Sequence, residues 1–324
     1  MRLSENTQRR LHVYGRRALR CAAGGLDRPC LFVHLPKCGG TSLANALYAT
    51  VPLHRPIAVV DAVSTRRAAA ILAFGRDDPW LCHEDLDAGH HTFALRERLA
   101  LSHMAQGMRL VHGHIPLTPR IARHFSTSYR IVTVLRDPVE RAVSNFRMAV
   151  RAGLIGPDID QWLASPLAQR HATAYLRYFS GSWQIAHRNE AAALARAEAA
   201  LSRISLIGFL DEMPDFTRKF REMFGVSLAL PHLNAAPDQA PPLSASQRAR
   251  LEALCVPDLV LYAAARRAAC ADAADIRPVP HLPMLDIAAA LPTPTHMPWP
   301  QAESESATTG ALPTHRDAAA DALS

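Results

Sequence analysis

Short apolar runs alternate with longer segments of helical period along most of the chain. CLFVHL (30–35) is a short apolar run ending at Pro36, the pattern of a buried strand. TSLANALYAT, from Thr41, has helical spacing, with Thr41 or Ser42 as the expected cap. IAVV (57–60) and PWLC (79–82) are weaker strand candidates, and AAAILAF and FALRERLALSHM read as helices. MRLVH (108–112) is a strand, and YRIVTVL (129–135) is the strongest strand in the chain. Pro138 then opens the helix VERAVSNFRMAVRA, at the first turn, where its missing N–H costs little. Alanine-rich 188–203 reads as a helix, SLIGFL (205–210) as a strand and 213–224 as a helix. Such alternation predicts an α/β fold with a central parallel sheet flanked by helices. Ligands in such folds sit beyond the carboxyl ends of the strands, so the residues that follow each run are the ones to read.

Composition changes this picture mainly at the two ends. The first residues carry arginines but no apolar stretch after them, which excludes a secretory leader. A mitochondrial transit peptide shares that composition, but Glu5 and the early strand at Cys30 favour a plain helical extension over 1–25. No apolar run reaches the roughly 18–20 residues of a membrane helix. Residues 271–324 hold eight of the 24 prolines and no helical or strand period, and read as a flexible Pro/Ala-rich tail. That tail has seven acidic residues and two arginines, so with a net charge of +7 overall the rest of the chain carries +12. A basic body suggests an anionic ligand, although arginines solvated at the surface of an Ala/Arg-rich chain give the same number. The six cysteines form no CxxC pair and read as reduced thiols in a cytoplasmic protein.

Three loops carry candidate chemistry. In HLPKCGGTSL (34–43), two glycines allow close backbone approach to an anion, and free N–H groups at the helix start favour phosphate or sulfate. Lys37 adds charge, and Thr41 and Ser42 add hydroxyls. It is not a Walker A loop, because Lys37 precedes Gly39 and Gly40 instead of following the second glycine. After strand 129–135, Arg136 and Ser144 lie just over two helical turns apart, an arginine fork and a hydroxyl suited to a phosphate monoester. Asp137 and Glu140 suit the start of that helix, with Arg141 expected to pair with them. In VHGHIP (111–116), His112 and His114 share a strand face at the ligand rim, where an imidazole can take a proton from a hydroxyl. The alternatives are core histidines or a metal pair that recruits Cys82, His83, Glu84 or His90–His91.

Taken in order, FVHLPKCGGTSL, LVHGHIP and IVTVLRDPVERAVSNF resemble the sulfotransferases that use 3'-phosphoadenosine 5'-phosphosulfate (PAPS). The likeness is to the carbohydrate group that includes the heparan sulfate 2-O-sulfotransferases and bacterial relatives. Weaker likeness continues through LIGFLDEMPDFTRKFREMFG (206–225), HLNAAP (232–237) and PDLVLYAAA (257–265). The resemblance implies a P-loop NTPase-like three-layer fold over 26–270. It implies that Lys37, Cys38, Gly39, Gly40, Thr41 and Ser42 line the 5'-phosphosulfate, Cys38 standing where many relatives have Thr. It also implies that Arg136 and Ser144 hold the 3'-phosphate, that His114 is the general base with His112 in support, and that Lys37 stabilises developing charge without a metal.

The expected reaction is in-line transfer of a sulfuryl group to an acceptor hydroxyl. The expected acceptor is a glycan or glycolipid, with no nucleic-acid partner. Family relatives in eukaryotes carry an N-terminal anchor that this chain lacks, so a bacterial cytoplasmic enzyme is expected, with peripheral membrane association open. His83, Glu84, Arg147 and Arg151 are candidates for the acceptor cleft, their default reading being exposed surface. A P-loop kinase or NTPase using ATP, and a non-catalytic nucleotide- or glycan-binding relative, stay open as alternatives.

Overall fold

The computed structural model describes residues 5–230 and 243–271. HLNAAP, and the stretch read as a tail apart from its first residue, lie outside the described residues. The fold is α/β. Five parallel strands, β1 (Cys30–Val33), β2 (Ile57–Val60), β3 (Leu110–Gly113), β4 (Arg130–Leu135) and β5 (Leu206–Phe209), form one sheet in the order β2-β3-β1-β4-β5. Helices α1 (Glu5–Ala23), α2 (Gly40–Tyr48), α3 (Ala62–Phe74), α4 (Gly89–Ala105), α5 (Pro119–Phe125) and α6 (Pro138–Arg151) punctuate its first half. Then come the short α7 (Ile159–Leu163), α8 (Pro166–Ala172) and α9 (Ala174–Ser180), followed by α10 (Glu190–Leu201), α11 (Met213–Phe224), α12 (Ala245–Leu254) and α13 (Val256–Ala271).

The alternation of side chains along each strand explains the two covered faces. Leu31 and Val33 of β1, Val111 of β3 and Ile131 of β4 pack with Phe93 of α4, Tyr175 and Phe179 of α9 and the alanines of α10. Cys30 and Phe32, Leu110, and Val132 and Val134 pack on the opposite face with Leu43 and Leu47 of α2 and Phe216, Phe220 and Phe224 of α11. Strands buried on both sides need apolar runs, which is why Cys30–Val33 and 131–135 are apolar but for Thr133, whose hydroxyl donates to the Val33 carbonyl at 2.8 Å. Helices on both faces of the sheet make three layers, and the glycine loop leaves the central strand β1 for α2.

Two local expectations are corrected. PWLC (79–82) forms turns between α3 and α4, not a strand. Its amides turn back on the chain, Leu81 N–H to the Asp78 carbonyl and His83 N–H to the Trp80 carbonyl. Helix α2 begins at Gly40 with Gly39 as its cap in the left-handed conformation, and no side chain caps it. The cap position expected of Thr41 or Ser42 is taken by Gly39.

Candidate active site

The loop from His34 to Gly39 joins β1 to α2. Lys37 has φ +66° and Gly39 φ +74°, so the chain passes twice through the left-handed region. Gly39 is also fixed by space: a Cβ there would lie 2.6 Å from Leu210 Cδ1. At Gly40 a Cβ would lie 1.7 Å from His34 Nε2. The loop therefore closes on two residues that must lack side chains. With no side-chain cap on α2, its leading N–H groups are left for an anion. Ser42 is half-buried in the first turn, beside Thr41.

Lys37 is half-buried on this loop, and its ammonium has no hydrogen-bond or ion-pair partner among the described residues. Burial pushes its pKa down, and the charges of Arg151 and Arg136 push it further. Among the described residues the opposing influence is Cys38 and no acidic side chain. Arg136 and Arg151 thus lie near enough to Lys37 for their charges to act on it, and Lys37 sits on the loop that leads into an uncapped helix start.

Arg136 follows β4. The turn after it is set by Asp137, whose carboxylate accepts the Val139 and Glu140 N–H groups at 3.0 Å each and starts α6. The Arg136 guanidinium and the Ser144 hydroxyl, both on half-buried residues, have no hydrogen-bond partner among the described residues. The Arg136 backbone is held by Tyr175. The Tyr175 hydroxyl accepts the Arg136 N–H at 2.8 Å and donates to the Arg136 carbonyl. Cys38 Sγ lies 3.5 Å from the same hydroxyl. One buried oxygen therefore joins the glycine loop to the arginine turn. Burial raises the Tyr175 pKa well above its ordinary value, so the group stays neutral and able to donate.

Tyr175 is anchored in turn. The Asp258 carboxylate accepts the N–H groups of Tyr175 and Leu176 at 2.8 Å each. Arg141 lies over the Tyr175 ring, 5.1 Å from its centroid, donates to the His171 carbonyl, and faces Asp258 at 3.5 Å. The expected pairing of Arg141 with Asp137 or Glu140 is thus overturned. The Arg141 side chain is fully buried and belongs to Asp258, while Glu140 pairs with Arg248 at 3.2 Å. The physical reason is facing: Asp137 and Glu140 serve the exposed start of α6, and Arg141 points into the core.

His112 lies next to the end of β3 and His114 just past it, and a third imidazole that sequence reasoning missed, His34, lies between their rings. The His34 centroid is 5.5 Å from that of His112 and 4.4 Å from that of His114, with both pairs stacked. The signal was the register. Phe32 lies opposite His112 in the β1–β3 pair, so two residues further on His34 meets the residues after β3. Gly113 permits the tight pairing with β2, because a Cβ there would lie 2.2 Å from the Val60 carbonyl oxygen.

The two candidate histidines differ. His112 is buried, its Nδ1 is 2.9 Å from the Tyr48 hydroxyl, and its Nε2 has no partner. Burial, and then His34, lower its pKa to about 3. His114 is half-buried, and its Nδ1 is 2.9 Å from the His34 carbonyl oxygen. A carbonyl only accepts, so Nδ1 carries the proton and Nε2 presents the lone pair. Burial first, then His34 and Arg96, hold the His114 pKa well below its ordinary value, so the ring is neutral near pH 7.

His83 and Glu84 are not surface residues: they are 3% and 5% exposed. Glu84 takes a two-pronged ion pair from Arg66, at 2.6 and 2.7 Å, and faces Arg96 at 3.4 Å. Arg151, by contrast, is exposed. Among the described residues no group of three or more His, Cys, Asp or Glu is arranged to hold a metal ion.

The three sequence motifs therefore meet at the carboxyl ends of β1, β3 and β4. His34 Nε2 against Gly40 ties the histidines to the loop, and Tyr175 ties the loop to Arg136. No family model matches the chain, and no curated protein matches it. Among solved structures, the crystal structure of a sulfotransferase from Alicyclobacillus acidocaldarius is similar to this chain, at 20% identity and a TM-score of 0.40, over 74% of this chain and 96% of that one.

Proposed function

We propose that this protein is a sulfotransferase that takes the sulfuryl group of PAPS to a carbohydrate hydroxyl. The observation that carries the reading is the pair of cations Lys37 and Arg136, without partners among the described residues, at the same sheet rim as an uncapped helix start and a neutral His114. The residues fit the nucleotide: the two glycines leave no side chain in the loop, and Arg136 and Ser144 leave a fork and a hydroxyl without protein partners. PAPS, when bound, supplies an activated sulfuryl group and a 3'-phosphate.

The chain's own part is positioning, charge and one proton. The N–H groups of α2 and the Lys37 ammonium bind the 5' anion and meet the negative charge that grows there during transfer. Arg136 and Ser144 hold the 3'-phosphate. Nε2 of His114 accepts the acceptor hydroxyl's proton while its Nδ1–H stays fixed on the His34 carbonyl. His112, held by Tyr48, packs against the outer face of His34 and keeps the stack in place.

The test is release of adenosine 3',5'-bisphosphate from PAPS in the presence of a mixed oligosaccharide pool. Saccharide should accelerate release, and His114→Ala should abolish the acceleration while leaving bisphosphate affinity within about threefold, a difference below 1 kcal/mol. Release that no saccharide accelerates, together with ADP formation from ATP and magnesium, would put a kinase in its place.

A further inference from the structure

Helix α1 is turned inside out. At helical spacing, Arg10, Arg16, Arg17 and Arg20 gather on one side, and Leu11, Tyr14, Ala18, Leu19 and Ala22 on the other. A helix on a soluble domain buries its apolar stripe. Here the arginine side faces the body. Arg17 donates from Nε to the Val51 carbonyl at 3.0 Å, and from its terminal nitrogen to the Pro52 and Arg55 carbonyls at 3.3 and 3.1 Å. Arg16, Arg17 and Arg20 are half-buried, while Leu11, Tyr14 and Leu19 are 56%, 56% and 72% exposed.

The rim of this stripe is cationic. Arg10 borders it on one side, and His12 and Arg16 on the other. Beside α1 the exposed Leu53 is followed by exposed His54 and Arg55. Glu5 is the only acidic residue in α1. Two copies meeting on this face would bring cationic rims together, so charge selects an anionic occupant. An exposed apolar stripe edged by arginine is the pattern of a helix that lies in a lipid headgroup layer.

We propose that α1 seats the protein on an anionic membrane surface, with Leu11, Tyr14 and Leu19 entering the headgroup layer and Arg10 and Arg55 meeting lipid phosphates. The carbonyls that fix Arg17 lie between α2 and β2, at the amino-terminal rim of the sheet. The glycine loop and the histidines are at the opposite rim, so the docked protein keeps that mouth open to the aqueous side.

The test is co-sedimentation of the full chain with phosphatidylcholine vesicles containing about one-third phosphatidylglycerol, against phosphatidylcholine alone. The full chain should pellet with the anionic vesicles and, by at least about tenfold, less with the neutral ones. Leu11→Glu with Leu19→Glu should lower anionic-vesicle binding by at least about tenfold at an unchanged Tm, since both side chains are exposed. Leu72→Glu, at another exposed apolar position on α3, should bind as the unaltered chain does. No binding to anionic vesicles, or full binding by the double variant, would overturn the proposal. So would a dimer in solution that the double variant converts to a monomer, since the face would then belong to a second copy.

Discussion

Removing one oxygen from Tyr175 separates positioning from packing. Tyr175→Phe keeps the ring under Arg141 and the backbone bonds to Asp258, but frees the Arg136 turn from the glycine loop. It should weaken adenosine 3',5'-bisphosphate by about tenfold and AMP much less, because only the first uses the arginine turn. Titration calorimetry with both nucleotides reads the ratio. An equal loss for both would mean that Tyr175 supports the fold and not the spacing of the two loops. Arg136→Ala should cost about 1.5–3 kcal/mol of bisphosphate binding, the scale of a hydrogen bond to a charged group. Unchanged affinity would remove Arg136 from the site. Tyr175 was not legible from the chain, because it lies in a short helix with no motif, and His34, although it opens the glycine-loop motif, acquires its place only from the β1–β3 register that sets Phe32 against His112. Lys37, Arg136, His112 and His114 could be named as candidates because each lies at or just beyond the end of an apolar run, and Ser144 because it stands just over two helical turns from Arg136.

At the scale of elements, α9 depends on α13. The Asp258 carboxylate holds the amino end of α9 and faces Arg141, all within the core. Asp258→Ala would leave Arg141 as an unpaired buried charge and should cost about 3–5 kcal/mol, read as a drop in the urea midpoint. A loss below about 1 kcal/mol would show that the pair contributes nothing net. The strands were readable because doubly buried strands must be apolar throughout. Helices α7, α8 and α9 were not, since five to seven residues do not establish a period. Their caps, Asp158 and Ser165, are visible only once the helices they start are known. PWLC misled for the same reason: four apolar residues fit a strand or a buried turn equally well.

The whole molecule carries a pH signature from the histidine stack. His34 and His112 are lowered to about 4 and about 3, chiefly by burial, from 6.5 in the open chain. Between those values the unfolded chain binds more protons than the folded one, so stability is greatest above pH 6.5 and falls as pH drops. From pH 7 to about 5 the loss from the two rings should be on the order of a few kcal/mol, partly offset by Asp258, which burial raises to about 6 and which takes up its proton first in the folded chain. Urea midpoints across that interval check it, and a flat profile would mean that the rings are solvated and free to charge. Which strands lie side by side was the largest gap in the sequence reading. The order β2-β3-β1-β4-β5 puts β3 and β4 on either side of β1, and only that arrangement brings the three loops to one mouth.

The central claim is a bisphosphate site in which Lys37 and the α2 amino end hold the 5' anion and Arg136 and Ser144 hold the 3'-phosphate. Thermal unfolding without magnesium, with adenosine 3',5'-bisphosphate compared against AMP and ATP, tests it most directly. At about 100 times the dissociation constant the bisphosphate should add about 2.7 kcal/mol of stability, with little from AMP or ATP. Stabilisation by ATP with magnesium alone, or by none of the three, would contradict it.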